Sequence, residues 1–168
     1  GLLLLAGTLR RVLLAVTGFT LAHSVTLALS ALDVVRLPEA PVEAAIALSI
    51  LFVAREVAWP HPEGLGARNP ILVSSSFGLL HGFGFASALR AVGLPRGELA
   101  TALLSFNVGV ELGQLSFIAA VLALMWLVHR VRHESLRLNF VLADRPRLYA
   151  GYVLGVPAAF WFIQRMVP

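Results

Sequence analysis

Cysteine and lysine are both missing from this 168-residue chain. Without cysteine there is no disulfide and no thiolate metal site, so any metal chemistry must rest on histidine, carboxylates and neutral side-chain donors. Without lysine, all 13 basic residues are arginines. Charge of either sign is scarce. Charged residues make up 13% and hydrophobic ones 58%, with a mean hydropathy of +0.85, whereas a soluble domain carries about 25% charged residues. That balance describes a chain dissolved in lipid. The formal charge of +4 does not point to nucleic acid, because the arginines gather at the ends of apolar runs and no basic stripe with interleaved aromatics occurs. Internal repeats, low-complexity tracts and soluble linkers are absent too, which leaves a single transmembrane domain over residues 1–168.

Five apolar runs are present, at 12–32, 42–59, 70–91, 99–128 and 148–166. Each is close to or above the ~20 helical residues that a hydrocarbon core requires. Barrel strands would be about half as long and alternate in period two. The expected fold is therefore an all-α, polytopic transmembrane helical bundle of five full spans. Residues 1–7 are apolar but short, with no basic segment before them, and read as the end of a further helix upstream rather than as a signal peptide. Threading the five spans puts Arg10, Arg11, Arg55, Arg68, Arg130, Arg132, Arg137, Arg145 and Arg147 on one side, and Arg36, Arg90, Arg96 and Arg165 on the other. The positive-inside rule makes the first side cytoplasmic and leaves the C-terminus outside.

Polar side chains inside the spans are few. The first span carries Thr17, Thr20 and Ser24 on one helical stripe, with His23 beside it near mid-span, too deep to snorkel easily. Pro41 is placed to open the second helix, where Glu43 offsets the macrodipole at the outer end and Arg55-Glu56 sit at the inner interface. Trp59 stands at aromatic-belt depth before a glycine-rich loop over 63–69. In the third span Gly78, Gly82 and Ala86 recur every four residues, a face on which another helix can approach closely, and His81 projects beside it. The fourth span holds Asn107, Glu111 and Gln114 on one face, with Gly109 and Gly113 as a second small-residue pair. The last span, with Pro157 and no central ionisable residue, reads as structural.

His23, His81 and Glu111 thus lie near the middle of three helices, with Asn107 and Gln114 bracketing the carboxylate. An ionised carboxylate at that depth costs ~3 kcal/mol unless it is paired, protonated or bound to a cation. Imidazole with carboxylate suits a divalent transition metal such as Ni, Co or Zn rather than calcium. The bland alternative is polar glue between helices, and the residues leave three functions open. One is a transition-metal permease in which neutral His and ionised Glu bind the cation and protonation helps release it. Another is a zinc-dependent intramembrane hydrolase with three protein ligands and an activated water. The third is a structural or assembly protein locked by its polar centre, with homo-oligomerisation through either small-residue face equally compatible with contacts inside one chain.

Four stretches carry a family resemblance: Gly18 to Leu29, Val42 to Ser49, Phe77 to Ala86 with its His81-Gly82 pair, and Phe106 to Gln114. Together they make the chain resemble the HupE/UreJ family, in particular its divergent bacterial branch, over nearly the whole chain. The resemblance implies a secondary permease for nickel or a similar divalent cation in the bacterial inner membrane, with the C-terminus in the periplasm. It also implies a His-x4-Asp-His type signature on a helix upstream of a sequence like Gly1 to Thr8. The hydrogenase-associated nickel permeases carry another His four residues before the His-Gly pair and an acidic residue three after its His. Phe77 and Gly84 stand there in this chain, so His81 and Gly82 carry over and the other ligands of that motif do not.

Overall fold

The computed structural model describes residues 5, 7–92, 98–132 and 146–167, with backbone alone at 86–92, 128–129, 131–132 and 146. Most of the 1–7 segment, residues 93–97 and the arginine-rich residues 133–145 lie outside the described residues, as does the side chain of Ala86. Among the described residues six helices follow one another: α1 (Leu9–Ala31), α2 (Glu39–Ala58), α3 (Leu65–Arg68), α4 (Pro70–Val92), α5 (Leu99–Arg132) and α6 (Pro146–Met166). No strand occurs among the described residues.

The helix ends follow local chemistry. Thr8 caps α1, its Oγ1 accepting from the Arg11 amide, and Asp33 ends it in the left-handed region at φ 60° while the Val34 amide bonds back to the Leu29 carbonyl. α2 begins at Glu39, three residues before the expected start. Pro41 then falls in the first turn, where its missing N–H has no intrahelical partner to lose. The expected 63–69 loop contains the single turn α3, held by a Gly66 amide that donates 2.8 Å to Glu56 Oε2. Glu56 is buried, 4% exposed, rather than interfacial.

Contacts order the helices as α5, α1, α4, α2, α6, with the most extensive packing between α1 and α4 and between α2 and α6. Glycine makes both close pairs. A Cβ on Gly78 would overlap the Phe19 backbone, and one on Gly82 the His23 carbonyl and Thr26 Oγ1. On the other pair, a Cβ on Gly151 would meet the Ala58 side chain and the Ala54 carbonyl. By contrast, nothing stands within 4 Å of a Cβ built at Gly109 or Gly113.

The contact pairs also give helix directions. Along α1 and α4, Ala15 meets Ser74, Phe19 meets Gly78 and His23 meets Gly82, so these two run parallel. Along α1 and α5, Val12 meets Ile118, Thr17 meets Glu111 and Leu27 meets Leu103, which is antiparallel. Phe52 on Phe77 with Ile46 on Gly84 makes α2 antiparallel to α4. Glu43 paired with Arg165, and Trp59 on Tyr152, make α2 antiparallel to α6.

Among the described residues, Leu9–Ala31 and Leu99–Leu127 are long and apolar enough to cross a membrane, and Pro70–Phe85 is apolar but shorter. α2 and α6 have 20 and 21 residues but carry charges that lower their hydropathy: Glu39, Glu43, Arg55 and Glu56 on one, Arg147 and Arg165 on the other. Large apolar side chains face outward on every long helix; Leu104, Phe117, Val153 and Phe160 are each 67–73% exposed. The buried core instead includes small or polar groups such as Ala15, Ala47, Ser74 and His23. An apolar exterior around such a core suits lipid rather than water.

Candidate functional site

Polar side chains of α1 meet two other helices. On the α5 side, Thr17 Oγ1 donates 2.8 Å to Glu111 Oε1, and Thr20 Oγ1 lies 3.5 Å from Gln114 Oε1 while also reaching the Val16 carbonyl at 3.3 Å. Asn107 Nδ2 donates 2.8 Å to the Leu103 carbonyl one turn back. Two oxygens on this face are buried and have no hydrogen-bond partner: Glu111 Oε2 and Asn107 Oδ1. Among the described residues no cation pairs with Glu111; the ion pairs there are Arg36–Asp33, Arg68–Glu63 and Arg165–Glu43.

On the α4 side stand the imidazoles. His23 is 1% exposed and neither ring nitrogen has a hydrogen-bond partner. Phenylalanines from three helices surround it: Phe19 stacked at 5.8 Å, Phe85 edge-on at 5.6 Å and Phe106 at 6.1 Å. His81 is half-buried and its Nδ1 lies 2.7 Å from the Phe77 carbonyl. A carbonyl can only accept, so Nδ1 carries the hydrogen, and the neutral ring keeps its lone pair on Nε2. The Phe19 ring touches both imidazoles, lying edge-on to His81 at 5.3 Å.

The five residues singled out in the sequence therefore fall into two groups. Glu111 and Gln114 meet α1 through Thr17 and Thr20, with Asn107 one turn away on α5; His23 and His81 share Phe19. Among the described residues, no three His, Asp or Glu side chains are grouped so as to hold one metal ion. His81 and Gln114 do line a common cleft of about 440 Å3, walled by α1, α2, α4, α5 and α6 and otherwise apolar apart from Ser49 and Ser74. Those two hydroxyls are already bonded to the Ile46 and Ala15 carbonyls.

The aromatic surround of His23 had no signal in the sequence, because Phe19, Phe85 and Phe106 come from three helices. Thr17 and Thr20 did carry one: their i, i+3 spacing matches that of Glu111 and Gln114. The two non-matching positions of the nickel motif also gain a reading. Phe77 turns its ring to Phe52, 5.9 Å away, and only its carbonyl serves His81. At Gly84 a Cβ would stand 2.6 Å from Ile46 Cδ1, so a side chain there requires the end of Ile46 to shift.

A family model described as HupE / UreJ protein matches residues 1–165. No curated protein and no solved structure matches the chain.

Proposed function

The chain belongs to the HupE/UreJ family, and from that premise we propose that it is a permease for a nickel-like divalent transition metal in the bacterial inner membrane. The family's association with nickel or cobalt transport supports the cargo, and the apolar helices support the membrane. The observation that carries the reading is the pair of deep imidazoles. His23 offers two unpartnered nitrogens, and His81 is held by the Phe77 carbonyl with Nε2 left as a ligand, the arrangement in which a second hydrogen bond fixes a metal-binding tautomer. Glu111, Asn107 and Gln114 extend this polar route across α1 as its oxygen-bearing half.

In this reading α1, α2, α4, α5 and α6 are five spans, with the arginine-rich loops cytoplasmic and the C-terminus periplasmic. The alternating helix directions support that threading. Glu43 and Arg165, at the outer ends of their helices, are paired with each other, which reduces the cost of bringing either near lipid. A zinc hydrolase gains no comparable support, since three ligands at one ion are its premise. A purely structural polar centre would need partners for the His23 nitrogens.

Metal accumulation in cells expressing the full-length protein tests the proposal. Replacing His81 with Ala should lower nickel or cobalt accumulation about 10-fold or more, the scale of losing a ligand or its support. Unchanged accumulation, with the variant present in the membrane at wild-type level, would falsify it.

A further inference from the structure

The oxygen half of the polar centre differs in chemistry from the imidazole half. Along one face of α5, Asn107, Glu111 and Gln114 carry a carboxylate and two side-chain amide oxygens at i, i+4 and i+7, with Thr17 bonded to Glu111 and Thr20 near Gln114; among the described residues no ring nitrogen hydrogen-bonds to them. Glu111 Oε2 and Asn107 Oδ1 are buried and unpartnered, and they lie one helical turn apart on the same face, at i and i+4. Each has its other polar atom tied down: Glu111 Oε1 by the Thr17 hydroxyl at 2.8 Å, Asn107 Nδ2 by the Leu103 carbonyl at 2.8 Å. The free oxygens are therefore held where they are rather than left to rotate toward another donor. Gln114 Oε1, three residues beyond Glu111, accepts only the 3.5 Å approach of Thr20 and has acceptor capacity left.

We propose that Glu111 Oε2, Asn107 Oδ1 and Gln114 Oε1 form a binding site for sodium, distinct from the imidazole pair that takes the transition metal. An all-oxygen donor set selects a hard cation, whereas the imidazoles of His23 and His81 select a borderline one. Charge selects the valence. Among the described residues no arginine pairs with Glu111; its single carboxylate is balanced by one positive charge, and a divalent ion would leave a net positive charge in a low-dielectric site. Because Phe106 packs on His23 while the next residue, Asn107, supplies an oxygen, movement of α5 on filling one site would be felt at the other. The two ions would be coupled.

This inference rests on reading the polar centre as a cation route, but its test uses no transition metal. Thermal unfolding of the purified full-length protein is followed in sodium chloride and in choline chloride at equal ionic strength and pH. Sodium should raise the midpoint by roughly 3–6 °C, saturating with concentration, as a ligand that binds the folded state does. Asn107→Ala and Glu111→Gln should each remove most of that rise; should Glu111→Gln not fold, Asn107→Ala alone decides. Equal midpoints in the two salts would overturn the site, as would a sodium response that survives Asn107→Ala. A midpoint that follows pH and ignores sodium would overturn it in favour of a proton shared between Glu111 and Asn107. The two readings fail separately: no sodium response in the wild-type protein, with accumulation still dependent on His81, overturns the sodium site alone, and accumulation unchanged by His81→Ala, with the sodium response present, overturns the transition-metal reading alone.

Discussion

Single residues separate two small-residue pairs that have the same spacing. Gly82 packs against the His23 carbonyl and Thr26, whereas Gly109 faces open space. Gly82→Ala should therefore cost about 1–3 kcal/mol, the scale of overpacking, while Gly109→Ala should stay within about 0.5 kcal/mol. Denaturant unfolding of both variants in the same detergent measures the difference, and equal effects would contradict the α1–α4 contact. Spacing identified both pairs but could not tell which has a neighbour, because that depends on where another helix lies. The same limit applies to the site. His23, His81 and Glu111 are conspicuous in sequence as ionisable groups within apolar runs, yet that both imidazoles touch Phe19 while Glu111 bonds Thr17 is a product of packing alone. Replacing Thr17 with Val tests the α1–α5 half directly. It removes the donor to Glu111 Oε1 and should destabilise by about 0.6–1.7 kcal/mol, the range found for side-chain hydrogen bonds between membrane helices.

Whole elements were legible where periodicity or length carried them. The apolar runs locate α1, α2, α4, α5 and α6 to within about four residues, the usual reach of cap signals. α3 was not legible, since one turn has no period to detect, and its anchor is a glutamate ten residues earlier in the chain. The close pairing of α2 with α6 was missed as well, although Gly151 and Gly155 stand at the spacing that permits it, opposite Ala54 and Ala58. This pair is fastened at its other end by Glu43 and Arg165. Both side chains are partly exposed, at 26% and 43%, so a double-mutant cycle over Glu43→Gln and Arg165→Gln should return a coupling of only about 0.5–1 kcal/mol. Gly151→Leu should do more harm than either, since it pushes the helices apart along their closest approach. Thermal midpoints of the three variants would rank these effects.

For the molecule as a whole, helix direction is the useful quantity. α1, α4 and α6 run one way, α2 and α5 the other, an alternation that supports the five crossings proposed above. Because these 168 residues contain no cysteine, single cysteines introduced into them can report sidedness. Val34→Cys, in the turn between α1 and α2, should react with a membrane-impermeant maleimide on intact cells with a permeabilised outer membrane. Glu63→Cys, between α2 and α3, should react only after the inner membrane is opened. The opposite pattern would invert the orientation, and labelling of both positions from outside would remove α2 from the membrane.

The contact between His81 and the Phe77 carbonyl has a consequence for how this protein could change. Because His81 is oriented by a main-chain atom, the side chain at position 77 is free to vary without disturbing the imidazole. Phe77→His would sacrifice the ring contact with Phe52 but add a second imidazole one turn away, restoring half of the nickel-permease motif in a single step. Position 84 asks more of its neighbours. A Cβ there stands 2.6 Å from Ile46 Cδ1, so an aspartate requires the end of the Ile46 side chain to turn aside. The two missing ligands of the motif thus differ in what they demand of another helix, and a laboratory selection for nickel uptake should find position 77 first.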